Sequence, residues 1–166
     1  MMNAKDEVID WLRDAYAMER GLEVTLQKLA QSQRHPPEVR HAAAQHLEDT
    51  RQHAQTVEWL LKTLNADTSA LKTGLGVMAE ALKSLGAGAA HDEVIRDLIG
   101  CYAMEHFEIA CYRALITAAE MAGLSDVTDA CEQIIFDEEQ MAETISDALP
   151  RIVQQHLNLG NLSKAA

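Results

Sequence analysis

Apolar residues recur along most of the chain at alternating steps of three and four, the spacing that puts side chains on one face of an α-helix. Val8, Leu12, Ala15, Glu19, Leu22, Leu26 and Leu29 follow this rule and predict a first helix from about Lys5 to about Ser32, with Glu19 interrupting the stripe at its middle. His35-Pro36-Pro37 ends it, because a residue before proline avoids helical geometry, and Pro37 suits the first position of a second helix running to about Leu64. That helix has its apolar face at Ala43, Leu47, Ala54, Val57, Leu61 and Leu64, with Thr50 completing the spacing and Glu48 flanking Leu47. After a polar break, Leu71, Leu75, Met78, Leu82 and Leu85 mark a short crossover helix closed by Gly86-Ala87-Gly88. Asp92 and Gly123 bound a third helix, striped by Leu98, Cys101, Glu105, Glu108, Tyr112, Leu115 and Ala119. Ser125 caps a fourth, with Val127, Cys131, Ile134, Glu138, Met141, Ile145 and Ala148 in line before Pro150. A short C-terminal helix is expected from Arg151 through His156, and the tail from about residue 158 carries too little apolar content to predict order.

The pattern contains a duplication. Tyr16-Ala17-Met18-Glu19 on the first long helix recurs letter for letter as Tyr102-Ala103-Met104-Glu105 on the third. Each first helix is followed by an acidic cluster on its partner, Leu47-Glu48-Asp49 in one half and Asp137-Glu138-Glu139 in the other. If each pair folds as an antiparallel hairpin, Glu19 and Glu48, like Glu105 and Glu138, lie at comparable heights. The long middle connection then lets the hairpins dock about a pseudo-two-fold axis. The expectation is an all-α four-helix bundle, a single domain over 1–166, with acids from four helices aimed at one centre.

Composition agrees with helices: Ala, Leu, Glu and Gln dominate and only three prolines intervene. The net charge of −12 argues against binding nucleic acid, which requires clustered Lys and Arg on phosphates, and serves solubility. No apolar run approaches the roughly 18 residues of a membrane span, and no basic-then-apolar leader opens the chain. Cys101, Cys111 and Cys131 lack the short spacings of a zinc or redox pair, which favours a reduced, cytoplasmic setting.

Several ionised carboxylates inside a bundle need a positive partner or protons, since burial costs several kcal/mol per ion. Oxygen-rich sites between facing helices suit iron or manganese. At this point Glu105-His106-Phe107-Glu108-Ile109-Ala110, His46-Leu47-Glu48-Asp49-Thr50 and Asp137-Glu138-Glu139 resemble the corresponding elements of the YciE/YciF-type bacterial stress proteins, in the ferritin-like superfamily. The resemblance covers nearly the whole chain. It implies a ferritin-like bundle with a crossover helix, a dimeric cytoplasmic protein linked to stress, and a di-metal site of rubrerythrin type. In that site Glu105 and Glu108 form the third-helix pair and Glu19, Glu48 and Glu138 are the single carboxylates. If active, such a site would couple iron oxidation to oxygen or peroxide.

The chain also departs from that pattern. Arg51 and Met141 stand where a Glu-x-x-His motif puts histidine, and the Cys-x-x-Cys pairs of an iron–sulfur module are missing, which weakens a peroxidase reading. The rival reading is a non-enzymatic stress or structural protein with a vestigial site, its acids paired with Arg51 and neighbours, acting through dimerisation or partner binding. His46, Thr50 and His53 share one side of the second helix, where a solvated histidine or an Asp49–His53 ion pair is the ordinary expectation. His106 reads as a helix–helix hydrogen-bonding residue and His41 and His91 as surface. Tyr112, four residues after Glu108 on the same face, reads as a support for a carboxylate, and Tyr16 and Tyr102 as packing.

Overall fold

A computed structural model describes residues 3–68 and 92–164, with side chains placed to residue 158. Among them run four helices and no strand: α1 (Ala4–Gln31), α2 (Pro37–Thr63), α3 (Glu93–Ala122) and α4 (Ser125–Lys164). The crossover helix expected over Leu71 to Leu85, and His91, lie outside the described residues.

Local chemistry sets the helix ends. Asn3 caps α1, its Oδ1 accepting the Asp6 N–H at 2.9 Å, and Asp6 and Glu7 meet the positive end of the helix dipole. Pro37 occupies the first turn of α2, where its missing N–H costs nothing. Gly123 ends α3 in the left-handed region at φ 69°, and the Leu124 N–H reaches back to the Ala119 carbonyl at 2.9 Å.

One expected break is absent. Instead of a separate short C-terminal helix after Pro150, α4 continues through that proline to Lys164. An interior proline costs about 3 kcal/mol in an isolated helix. Here Pro150 is exposed, so the carbonyl it leaves without a donor can be hydrated. Beyond it Ile152 is buried in the core and Arg151 pairs with Glu38 of α2. Tertiary contact therefore offsets what local preference opposes.

α1 packs chiefly on α2 and α3 on α4, and α1–α3 and α2–α4 contacts close the bundle, so sequence-adjacent helices form two hairpins. Two apolar clusters fill it. At one end are Val8, Leu12, Leu22, Val57, Leu61, Leu115, Val127 and Ile134. At the other are Leu26, Leu29, Val39, Leu47, Leu98, Cys101, Met141 and Ile145. Between these clusters every helix turns a polar side chain inward: Glu19 from α1, His46, Thr50 and His53 from α2, Glu105 and Glu108 from α3, and Glu138 from α4, all buried.

Candidate metal centre

Glu138 stands at the middle of this polar layer. Its Oε2 lies 3.2 Å from His46 Nε2 and its Oε1 3.0 Å from His53 Nδ1. His46 Nε2 also approaches Glu105 Oε2 at 3.1 Å, and His53 Nδ1 approaches Glu19 Oε2 at 3.8 Å. Two triads follow, Glu19/His53/Glu138 and His46/Glu105/Glu138, each offering ligand atoms within 4.8 Å of one another. Glu138 belongs to both, presenting one oxygen to each.

The arrangement is short on ordinary partners. His53 Nδ1, both oxygens of Glu138, and Glu19 Oε2, Glu105 Oε2 and Glu108 Oε1 are buried without a hydrogen bond of good geometry. Buried polar atoms are nearly always satisfied, so six orphaned donors and acceptors converging on one layer fit a site shaped for something else. Carboxylate oxygens and imidazole nitrogens are the donors that iron, manganese and zinc accept.

Electrostatics gives the same picture. Burial pushes Glu19 up to about 8, eased by His53 and Tyr112 and reinforced by Glu138. Glu105 is likewise raised to about 8 by burial, against the lowering influence of His46. Glu108 is raised well above the carboxylate range by burial and then by Glu138, Glu19 and Glu105. Burial opposes charge on the imidazoles too, but Glu105 and Glu138 lift His46 to about 11, and Glu138 and Glu19 lift His53 to about 9. Glu138 is held below the carboxylate range: burial pushes it up, and His46, His53 and Glu105 together outweigh that. Without a metal, then, burial favours protons on Glu19, Glu105 and Glu108, and the facing carboxylates favour them on both histidines.

A second tier steadies these groups. Tyr112 donates its hydroxyl to Glu19 Oε1 at 2.5 Å, as its place on the α3 stripe suggests. Asp137, about one-third exposed, lies 3.2 Å from His53 Nε2.

Of the five acids singled out from sequence, Glu19, Glu105, Glu108 and Glu138 are buried in the polar layer and Glu48 is not. Glu48 is 63% exposed and pairs with Arg51 at 2.5 Å. The reason is angular: it sits two residues from His46, about 200° around the helix. Arg51 points away with it, reaching Glu23 at 3.8 Å and no core glutamate. Met141 faces the neighbouring apolar cluster. The missing nitrogen donors come from elsewhere on α2. His46 and His53 are not the solvated pair expected but are buried in the layer, and His53 takes Asp137 rather than Asp49 as its acid partner. The signal was present, because His46, Thr50, His53 and Val57 follow steps of four, three and four. His106 is exposed, its ring edge-on to Tyr102 at 4.5 Å, so it makes no helix–helix hydrogen bond in the bundle core. His41 is exposed as expected.

Among the described residues no helix is long and apolar enough to cross a membrane. Solved structures share the architecture. A protein from Xanthomonas campestris pv. campestris is 34% identical, over 95% of this chain and 98% of that one, with a TM-score of 0.80. The E. coli stress protein YciF superposes with a TM-score of 0.80 at 21% identity, covering 93% of this chain and 99% of its own. A ferritin-like, diiron-carboxylate protein from Bacillus anthracis str. Ames reaches 0.70 at 18% identity, covering 90% and 99%. Residues 3–158 match the family described as a domain of unknown function, DUF892. With four helices among its described residues and an inward-facing polar layer, the chain belongs to this family and shares its fold with YciF and with the ferritin-like protein of B. anthracis.

Proposed function

We propose that this protein binds two divalent metal ions, iron or manganese, in the polar layer of its bundle, and that the bound pair takes part in oxygen- or peroxide-linked oxidation of iron. The observation that carries the reading is the donor set. Three buried carboxylates and two buried imidazoles surround the carboxylate of Glu138, and fully deprotonated the set holds a charge of −4, which two divalent cations balance. The buried oxygens without a hydrogen bond of good geometry are the atoms such cations would engage.

In this reading Glu19 and His53 would hold one ion and His46 and Glu105 the other, with Glu138, which belongs to both triads, available to each. Glu108, with an unpaired Oε1, completes the carboxylate shell. A bound iron pair supplies the change of oxidation state; the protein supplies a negative, water-poor cage that favours the more positive metal. The reductant comes from outside the chain. The rival structural reading pairs the acids with Arg51 and neighbouring groups; Arg51 is engaged with Glu48 and Glu23, which leaves His46 and His53 as the neighbours it would rely on. A cytoplasmic, homodimeric stress protein is the setting that the resemblance to YciE/YciF-type proteins supports.

Elemental analysis of protein purified without chelator tests the binding: two equivalents of iron or manganese are expected, and a metal-free protein that takes up none on anaerobic Fe(II) addition would refute it. Oxygen consumption on adding Fe(II), compared with Glu105→Ala, tests the oxidation. Equal rates leave a binding role alone.

A further inference from the structure

The two histidines present opposite ring nitrogens to the centre. His53 turns Nδ1 inward and Nε2 toward the Asp137 carboxylate, 3.2 Å away. His46 turns Nε2 inward, and the acid nearest its Nδ1, Asp49, is 3.9 Å away and half-exposed, beyond hydrogen-bond reach. A neutral imidazole has one proton to place. An acceptor on the outer nitrogen keeps it there, leaving the inner lone pair free for a cation and the ring fixed in direction. His53 has that acceptor; among the described residues, the carboxylate nearest His46 Nδ1 stays beyond bonding distance. The carboxylates differ in the same sense, since Glu19 is held by the Tyr112 hydroxyl at 2.5 Å.

We propose that the two triads are unequal: the Glu19/His53/Glu138 triad takes up a divalent cation first and more tightly, and Asp137 is the positioning residue that makes it so. This rests on the metal-binding reading above. It goes beyond it by assigning an order of filling and a role to a residue that touches no ion. Asp137 adjoins Glu138 in sequence, so α4 supplies both the bridging carboxylate and the brace for the opposing histidine. Losing such a brace costs about 10- to 100-fold in metal affinity.

The test is a Co(II) titration of the metal-free protein, followed by visible absorption and calorimetry. Two unequal steps are expected for the wild type. Asp137→Ala weakens the tighter step by about 10- to 100-fold and leaves the weaker one alone. Asp137→Asn, which retains an acceptor oxygen, falls between, and Asp49→Ala changes neither step. Nitrogen NMR of the Zn(II)-loaded protein adds a readout that mere loss of packing does not move: His53 carries its proton on Nε2 and His46 on Nδ1, and Asp137→Ala speeds solvent exchange of the His53 proton alone. Equal steps in the wild type, or a tighter step untouched by Asp137→Ala, overturn the unequal-site proposal and leave the metal reading standing. No uptake by the wild type overturns both.

Discussion

The hairpin of α1 and α2 and the hairpin of α3 and α4 begin from the same tetrapeptide and end with different chemistry. Glu19 and Glu105 are equivalent and both are buried. Three residues further along, α3 places Glu108 where α1 places Leu22, and seven residues along, α3 has Tyr112 where α1 has Leu26. On the second helices, Glu138 follows Glu105 by 33 residues and His53 follows Glu19 by 34. One hairpin thus brings a single carboxylate and two imidazoles, the other three carboxylates and a tyrosine. A duplicated scaffold fixes where side chains converge, and substitution within each copy sets what converges there. The pairing is complementary: neither hairpin has both the nitrogen donors and the bridging acid.

The strongest way to break this complementarity is at the shared residue. Glu138→Ala should abolish both sites, reducing bound metal from two equivalents to none by elemental analysis. Glu138→Gln, of nearly the same shape, should do the same while the protein keeps its helical circular dichroism. A retained stoichiometry of two in either variant would assign the bridge elsewhere.

Removing one imidazole should halve the loss. His46→Ala and His53→Ala are each expected to bind one equivalent, and only the pair of changes together to bind none. Calorimetric stoichiometry separates this from a single shared site, in which either substitution alone would be total.

Protons sharpen the comparison next. Glu19 and Glu105 titrate at about 8 in the folded metal-free protein against an ordinary 4.5, and His53 and His46 at about 9 and about 11 against 6.5. Between each ordinary value and its raised one the folded chain binds more protons than the unfolded chain, so stability falls as pH rises. These contributions are complete below 4.5 for the glutamates and 6.5 for the histidines, and are lost through about 8, 9 and 11. Glu138, held low, acts oppositely and loses its contribution on acidification. The Tm of the metal-free protein should therefore fall from about pH 6 to about pH 9, and loading with metal should flatten that slope. At pH 7 loading displaces three carboxyl protons, from Glu19, Glu105 and Glu108, and two imidazolium protons, about five in all. The buffer dependence of the binding enthalpy measures this number, and release of fewer than two would show that the donors are not shared as described.

The smallest effect belongs to the residue outside the layer. Glu48→Ala removes an exposed ion pair with Arg51 and should change stability by less than about 1 kcal/mol, with metal stoichiometry untouched. A loss of metal in this variant would move the site to the outer face of α2.

Much of the bundle is legible in spacing alone. The stripes through Leu12 and Leu22, Val57 and Leu61, Leu98 and Leu115, and Val127 and Ile145 are the buried faces in the folded protein, because a 3.6-residue period leaves no other way to cover them. Glu19, Glu105, Glu108 and Glu138 interrupt those stripes, and a residue on a buried stripe is buried whatever its polarity. Glu48 was drawn in by its neighbours in sequence, whereas the helix sorts residues by angle. The buried histidines of α2, His46 and His53, lie on the stripe through Thr50 and Val57. The continuation of α4 through Pro150 was illegible for another reason: what holds it is Ile152 in the core and Arg151 on Glu38, contacts between residues far apart in the chain.

Sequence by itself determined the helices, their inward faces and the presence of acids on those faces, because periodicity and capping are local properties of the chain. Only the tertiary structure decided that Glu138 stands between His46 and His53, that Tyr112 steadies Glu19, and that Asp137 backs His53. Those are distances between helices, set by how the two hairpins dock. A carboxylate becomes a candidate ligand through the donors placed opposite it, and they come from other parts of the chain.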